Sequence, residues 1–451
     1  MSGDPYTPQS GDPGIRVDHY DLALDYKVTT NRLNATAVIH GHVTTGTKNL
    51  SFDLVGLRAT KITAAGARIA NHRQSDRKLR ITLSSPLAAG AGFELTVAYS
   101  GAPRPRRSRW GTIGWEELED GALIASQPTG APTWFPCNDV PSDKATYRLM
   151  ITTDQAYTVV ASGRRTGRTT RGGKATWTFD QDVPTTTYLM TVHVGRYLEE
   201  TISLGRSTGR LFYPAPLTTR VRADFADLPR MVAVFEELFG PYPLDEYAVV
   251  VTADDLEIPL EAQGIGTFGA NHIDGAGGLE RLVAHELAHQ WFGNSVGVAK
   301  WQDIWLNEGF ACYSEWLWSE HSGGPTAHQK AVSHHARLAS LPQDLVISDP
   351  GADLMFDDRV YKRGALTLHS LRLTLGDEVF FSVLREWTRT YRAATASTAD
   401  FVALAEEVSQ VPLANLIHAW LDVPRLPRLP MTGRGGVVPP TKPLAPEQSL
   451  R

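Results

Sequence analysis

The segment His285-Glu286-Leu287-Ala288-His289, followed nineteen residues later by Glu308 within Trp305-Leu306-Asn307-Glu308-Gly309, constrains this chain more than any other feature. Residues four apart on a helix share a face, so His285 and His289 present their imidazoles to one point. Glu308, on a separate helix, would complete a three-ligand nitrogen and oxygen set. The fourth tetrahedral position is then left for water, which distinguishes a catalytic zinc from a closed structural one. Glu286, between the two histidines, is expected to act as general base. The histidine pair alone would equally suit a buried amphipathic helix. The agreement of four residues favours the metal, and it obliges two helices to face each other.

The rest of the chain bounds the setting. Its 451 residues, 42% of them hydrophobic, suffice for two or three domains with sizeable cores. A net charge of −5 gives no footprint for nucleic acid, and the basic run Arg104, Arg106, Arg107 and Arg109 reads as a solvated loop. The N-terminus lacks a charged and apolar leader pattern, and no apolar stretch is long enough to span a bilayer. The expectation is a cytoplasmic protein without a membrane partner. Two cysteines, Cys137 and Cys312, make no disulfide framework. Cys312, one turn past Glu308, is expected as a small buried hydrophobe rather than a ligand. The adjacent His334 and His335 are expected to be solvated.

Hydrophobic periodicity divides the chain. Up to about residue 198 the period is two, as in Leu79, Ile81 and Leu83, in Phe93, Leu95, Val97 and Tyr99, and from Leu189 to Val194. The segment Arg164 to Lys174, with its glycines, reads as a hairpin connection. The character changes near Tyr197 to Ser207. Met231, Val234, Phe235, Leu238 and Phe239 follow helical spacing, and Gly240-Pro241 stops that helix. Tyr247 to Val251 reads as a short buried strand. Beyond the zinc-type helix the pattern is helical to Leu421. A multi-domain α+β chain is therefore expected, with a β domain at 1–198, a helix-rich domain at 199–430 and a flexible Pro/Gly-rich tail at 431–451.

The words around the histidines resemble those of a known family. His285 to Asn294, Trp301-x-x-x-Trp305-Leu306-Asn307-Glu308-Gly309, the upstream Gln127-Pro128 and Trp134-Phe135-Pro136-Cys137-Asn138-Asp139, and the downstream Val360-Tyr361-Lys362-Arg363-Gly364 are similar to gluzincin aminopeptidases of the aminopeptidase N family. That family includes the bifunctional leukotriene hydrolases. The similarity runs from about His19 to Leu426. It implies a saddle-like N-terminal sheet domain, a thermolysin-like catalytic domain, one zinc ion and peptide substrates with a free N-terminus. The longer members carry a further helical domain that roofs the cleft. On the sequence as it stands, an open groove and a monomer are expected.

The resemblance also assigns residues. Tyr361 is implied as the donor that stabilises the tetrahedral oxyanion, although Lys362-Arg363 departs from the usual acid then lysine. Glu315, seven residues past Glu308 on the same face, is implied as the acceptor that orients a metal-bound histidine. Glu261 is implied as the carboxylate for the substrate ammonium. Its flanks, Ile258-Pro259-Leu260 and Ala262, lack the family's glycine and asparagine. Gln127 is implied as a lining residue of the first specificity pocket, with Thr129 where an acid or amide is common. Epoxide hydrolysis, endopeptidase action and non-catalytic peptide binding are the competing functions.

Overall fold

The computed structural model describes residues 3–430. The tail expected at 431–451 lies outside the described residues. Among the described residues no helix is long and apolar enough to cross a membrane.

The alternating segments of the first half do form strands. A seven-stranded sheet runs, edge to edge, through Arg164–Arg171, Lys174–Thr186, Lys144–Asp154, Ile15–Lys27, Arg32–Val43, Gly92–Gly101 and Arg58–Ala64. All its pairings are antiparallel except that of Ile15–Lys27 with Lys144–Asp154. In Ile15–Lys27 the inward residues are apolar, among them Tyr20, Leu22, Leu24 and Tyr26, and the outward ones, apart from Ala23, are polar. That alternation fixes the register, because a slip of one residue would turn the apolar set to solvent. A second, five-stranded sheet contains Thr158–Ala161, Val192–Gly195, Gly121–Ala125, Gly111–Leu118 and Arg106–Ser108.

Four expectations need correction. Leu189 ends a short 3-10 turn at Thr187–Leu189, and the strand begins at Val192. Arg164–Arg171 is not merely a connection but an edge strand, turning at Gly172-Gly173. The basic run contains a short strand, Arg106–Ser108, paired with Gly111–Leu118. The histidines at 334 and 335 are not solvated: His334 is buried flat against Trp316, rings 5.1 Å apart and 2° from parallel. His335 is half-buried and bonded through Nε2 to the carbonyl of Pro427 at 2.7 Å.

The change of character after Tyr197 begins as a strand hairpin, Leu198–Leu204 with Ser207–Tyr213. The second of these continues in parallel into Glu246–Val251 and Ile265–Phe268, and the antiparallel Leu260–Ala262 closes that third sheet. Nine helices follow among the described residues: α1 (Thr218–Asp224), α2 (Leu228–Phe239), α3 (Glu280–Ala288), α4 (Trp305–His321), α5 (Ala327–Ala339), α6 (Asp358–Leu375), α7 (Asp377–Thr390), α8 (Thr398–Ser409) and α9 (Ala414–Leu421). In α2 the spaced Met231, Phe235, Leu238 and Phe239 are buried, each worth roughly 1.5–3 kcal/mol. Gly240, at φ 93°, ends the helix in a conformation that a side chain would resist.

One contact positions the site. Helices α4 and α6 pack so closely that a Cβ on Gly309 would lie 2.8 Å from the Cα of Gly364, and the reverse holds. Only glycine at both positions permits this crossing. It places the first turns of both helices, with Glu308 on one and Tyr361 on the other, beside α3.

Candidate metal centre

Helix α3 delivers His285 from its last turn and His289 from the residue that ends it. The rings stand 4.8 Å apart at 79°. Glu308, in the first turn of α4, points one oxygen between them, 3.6 Å from Nε2 of His285 and 3.4 Å from Nε2 of His289. All three side chains are buried, and their ligand atoms lie within 4.8 Å of one another.

The far nitrogens of both rings are already committed. Nδ1 of His289 is 3.0 Å from the carbonyl of Phe292, which only accepts, so that nitrogen carries the proton and Nε2 keeps its lone pair. Nδ1 of His285 meets Glu315 at 2.8 Å. Glu315 is flanked in turn by Arg281 at 3.5 Å and by Lys362 at 3.9 Å. Two lone pairs and a carboxylate oxygen thus converge on one buried point, a donor set that fits a zinc ion.

A proton on either imidazole competes with a cation for the same carboxylates. Burial opposes charge on both imidazoles, but the carboxylates outweigh it. Glu308 and Glu315 raise His285 to about 9, and Glu261 and Glu308 raise His289 to about 10. Burial likewise opposes charge on Glu308, yet His289 and His285 hold it down to about 2. The pocket draws positive charge to its centre.

The remaining predicted residues surround that point. Glu286 is buried, and its Oε2 has no hydrogen-bond partner. Burial, reinforced by Glu261 and Glu308, pushes its carboxyl up to about 8. Tyr361 lays its ring nearly parallel to His285, centroids 6.1 Å apart. Burial and then the carboxylates of Glu308, Glu261 and Glu286 raise its phenol well above the usual range, so it stays a donor. Glu261, in the strand Leu260–Ala262, has an oxygen within 4.8 Å of ligand atoms of Glu286 and His289. Gln127 Nε2 donates to Glu261 Oε1 at 2.6 Å. Thr129 is buried without a partner for its hydroxyl and takes no part in this cluster.

The departures from the family pattern find local explanations. Lys362 donates to Cys312 Sγ at 3.3 Å, and Cys312 stands outside both ligand groups. Arg363 donates to the carbonyls of Trp420, Pro424 and Val423 and so covers the end of α9. Gln290 and Asn294, quoted within the histidine motif but given no role there, both donate to the carbonyl of Ala262, at 3.1 and 2.9 Å. Gln290 also accepts from the Gly264 amide at 2.8 Å. They tie the strand bearing Glu261 to the end of α3. A buried amide four residues past Glu286 on the same helical face was the available signal.

A β-sheet half joined to a helical half that brings two histidines of one helix and a carboxylate of the next to a buried point is the build of a metallopeptidase. The peptidase M1 N-terminal domain matches residues 16–189 and the peptidase family M1 domain matches residues 225–420; the chain belongs to peptidase family M1. It is 27% identical to glutamyl aminopeptidase of Mus musculus, over 93% of this chain and 48% of that protein. It is 24% identical to leucyl aminopeptidase of Saccharolobus solfataricus, over 93% and 55% respectively. The chain spans about half the length of the curated relatives it matches. A solved M1 zinc metallopeptidase from Deinococcus radiodurans, crystallised as a variant bound to a Tyr-Ser-Ala substrate, superposes with a TM-score of 0.88 at 32% identity. That likeness covers 96% of this chain and all of the other.

Proposed function

We propose that this protein is a zinc-dependent aminopeptidase that removes the first residue of peptides with a free N-terminus. The observation that carries the reading is the placement of Glu261, held by Gln127, beside Glu286 and His289. A carboxylate there receives the α-ammonium one residue from the scissile carbonyl, which confines cleavage to the first bond. The aminopeptidase relatives and the peptide-bound structure support the same reading.

His285, His289 and Glu308 would hold one zinc ion, with Glu315 and the Phe292 carbonyl fixing the imidazoles. Zinc in such a set supplies Lewis acidity, polarising a carbonyl and making water a stronger acid. Glu286, buried and with a free oxygen, takes the proton from the attacking water and returns it to the departing amine. Tyr361 donates a hydrogen bond to the carbonyl oxygen as negative charge grows on it. We further place the boundary between the two halves at residues 198 and 199. A cytoplasmic location suits the two buried free thiols, Cys137 and Cys312, and a monomer is tested by sedimentation.

The deciding experiment is a panel of aminoacyl fluorogenic amides, each with its N-acetyl counterpart, assayed with and without chelator. Chelator-sensitive release from the free amines alone supports the proposal. Equal release from acetylated compounds would replace it with endopeptidase action.

A further inference from the structure

The run Arg104 to Arg109 takes no part in the chemistry above, yet it forms the wall between two adjoining cavities. One, of about 610 Å³, is lined by Arg58, Arg104, Arg106 and Arg107, with Asp76 as its one acid. The other, of about 420 Å³, shares Arg106 and Arg107, adds Arg77 and Arg109, and reaches Trp110 and Thr129.

These arginines are poorly compensated. Arg109 pairs with Asp353 at 2.9 Å and Arg77 donates to Gln9 at 2.7 Å. Among the described residues Arg58, Arg104, Arg106 and Arg107 have no carboxylate within 4.0 Å. The Nε of Arg106 is buried without any partner. Burial and then Arg77 disfavour the Arg106 charge, and the attraction of Asp139 and Asp53 offsets only part of that. The whole chain has more acids than bases, 49 against 44, so a shortage of carboxylates is not the cause.

The wall is also held in place. Arg106–Ser108 is paired as a strand, and the Trp110 indole donates to the carbonyl of Ala352 at 2.7 Å. Planar guanidinium forks with open donors, carried beside a paired strand, match carboxylates in bidentate fashion. Several of them along two joined cavities suit a ligand with several spaced charges rather than a single ion.

We propose that this groove is an exosite for an acidic peptide segment, whose carboxylates pair with Arg106 and Arg107 and extend toward Arg58 and Arg104. A peptide is favoured over a phosphate polymer because Thr129 lines the groove and lies, along the chain, two residues from Gln127, which bonds Glu261 beside the metal centre. That identification of the ligand as a peptide rests on the peptidase reading. The presence of an anion site does not.

The test is fluorescence anisotropy of the full chain with labelled, N-acetylated hexaglutamate, which a free-amine exopeptidase leaves intact. Hexaglutamine, tripolyphosphate and a short single-stranded oligonucleotide serve as competitors. Hexaglutamate binding that weakens with salt, resists hexaglutamine and falls about tenfold or more in Arg106→Gln/Arg107→Gln supports the exosite. The exposed pair Arg104→Gln/Arg107→Gln, which disturbs no buried group, should show the same direction. Unchanged affinity in both double variants overturns the proposal, as does equal binding of hexaglutamine. Displacement by tripolyphosphate or oligonucleotide at lower concentration than by unlabelled hexaglutamate overturns the acidic-peptide ligand. Binding should survive chelation of zinc, so this result and the turnover assay can fail independently.

Discussion

Gln127 Nε2 donates to the Glu261 carboxylate at 2.6 Å across 134 residues of sequence, joining the N-terminal half to the strand that borders the metal centre. The bond engages Oε1 and ties the carboxylate to the N-terminal half. A flexible loop acid would bind an ammonium more weakly, because it would first have to be ordered. The N-terminal half therefore reaches the border of the metal centre.

Replacing Glu261 with alanine should lower kcat/KM for free-amine substrates roughly 10- to 100-fold, the worth of a charge-assisted hydrogen bond. Acetylated substrates, cleaved poorly from the start, should change little. A uniform loss across both classes would make Glu261 a structural residue.

In Glu286→Gln, zinc should remain bound while turnover drops by roughly 10² to 10⁴, the usual range for general-base catalysis. Metal analysis beside steady-state kinetics decides it. Near-normal turnover at full occupancy would remove the base assignment.

Tyr361→Phe keeps the ring that lies against His285 and deletes only the hydroxyl. Turnover should decline by about 10² to 10³ with KM and melting temperature nearly unchanged. If only KM rose, the phenol would be a binding group.

Glu315→Gln leaves an acceptor for His285 but removes the charge between Arg281 and Lys362. Zinc affinity, measured by competition with a chromogenic chelator, should weaken roughly 10- to 100-fold. Affinity within twofold of the parent would show that Glu315 does not support the ligand.

Gly364→Ala inserts a methyl group 2.8 Å from the Gly309 Cα. Overpacking should cost about 1–3 kcal/mol by denaturant unfolding and push Glu308 away from the histidines. Zinc affinity should therefore fall together with stability. A fully stable variant with normal zinc binding would mean that the helices can slide apart without cost.

Some of this was legible along the chain. The turn of a helix is set by a few neighbouring residues, so the shared direction of His285 and His289 follows from spacing alone. The period-two strands follow from the pleat in the same way. The exposed-looking histidine pair, the edge strand at Arg164–Arg171 and the short strand at Arg106–Ser108 were misread because periodicity says which face is apolar, not what lies against it. Trp316 covers His334 only because α4 and α5 pack together.

The sequence by itself determined the chemistry available: two imidazoles, their carboxylates and a phenol, with the helical phase of the first two. Tertiary structure decided where these groups meet. Glu261 reaches the centre because Gln290 and Asn294 hold its strand to the end of α3. Glu308 and Tyr361 reach it because two glycines let α4 and α6 touch. Local order arises from backbone sterics within a few residues, whereas convergence of distant groups depends on close packing of whole elements, which no short stretch of sequence contains.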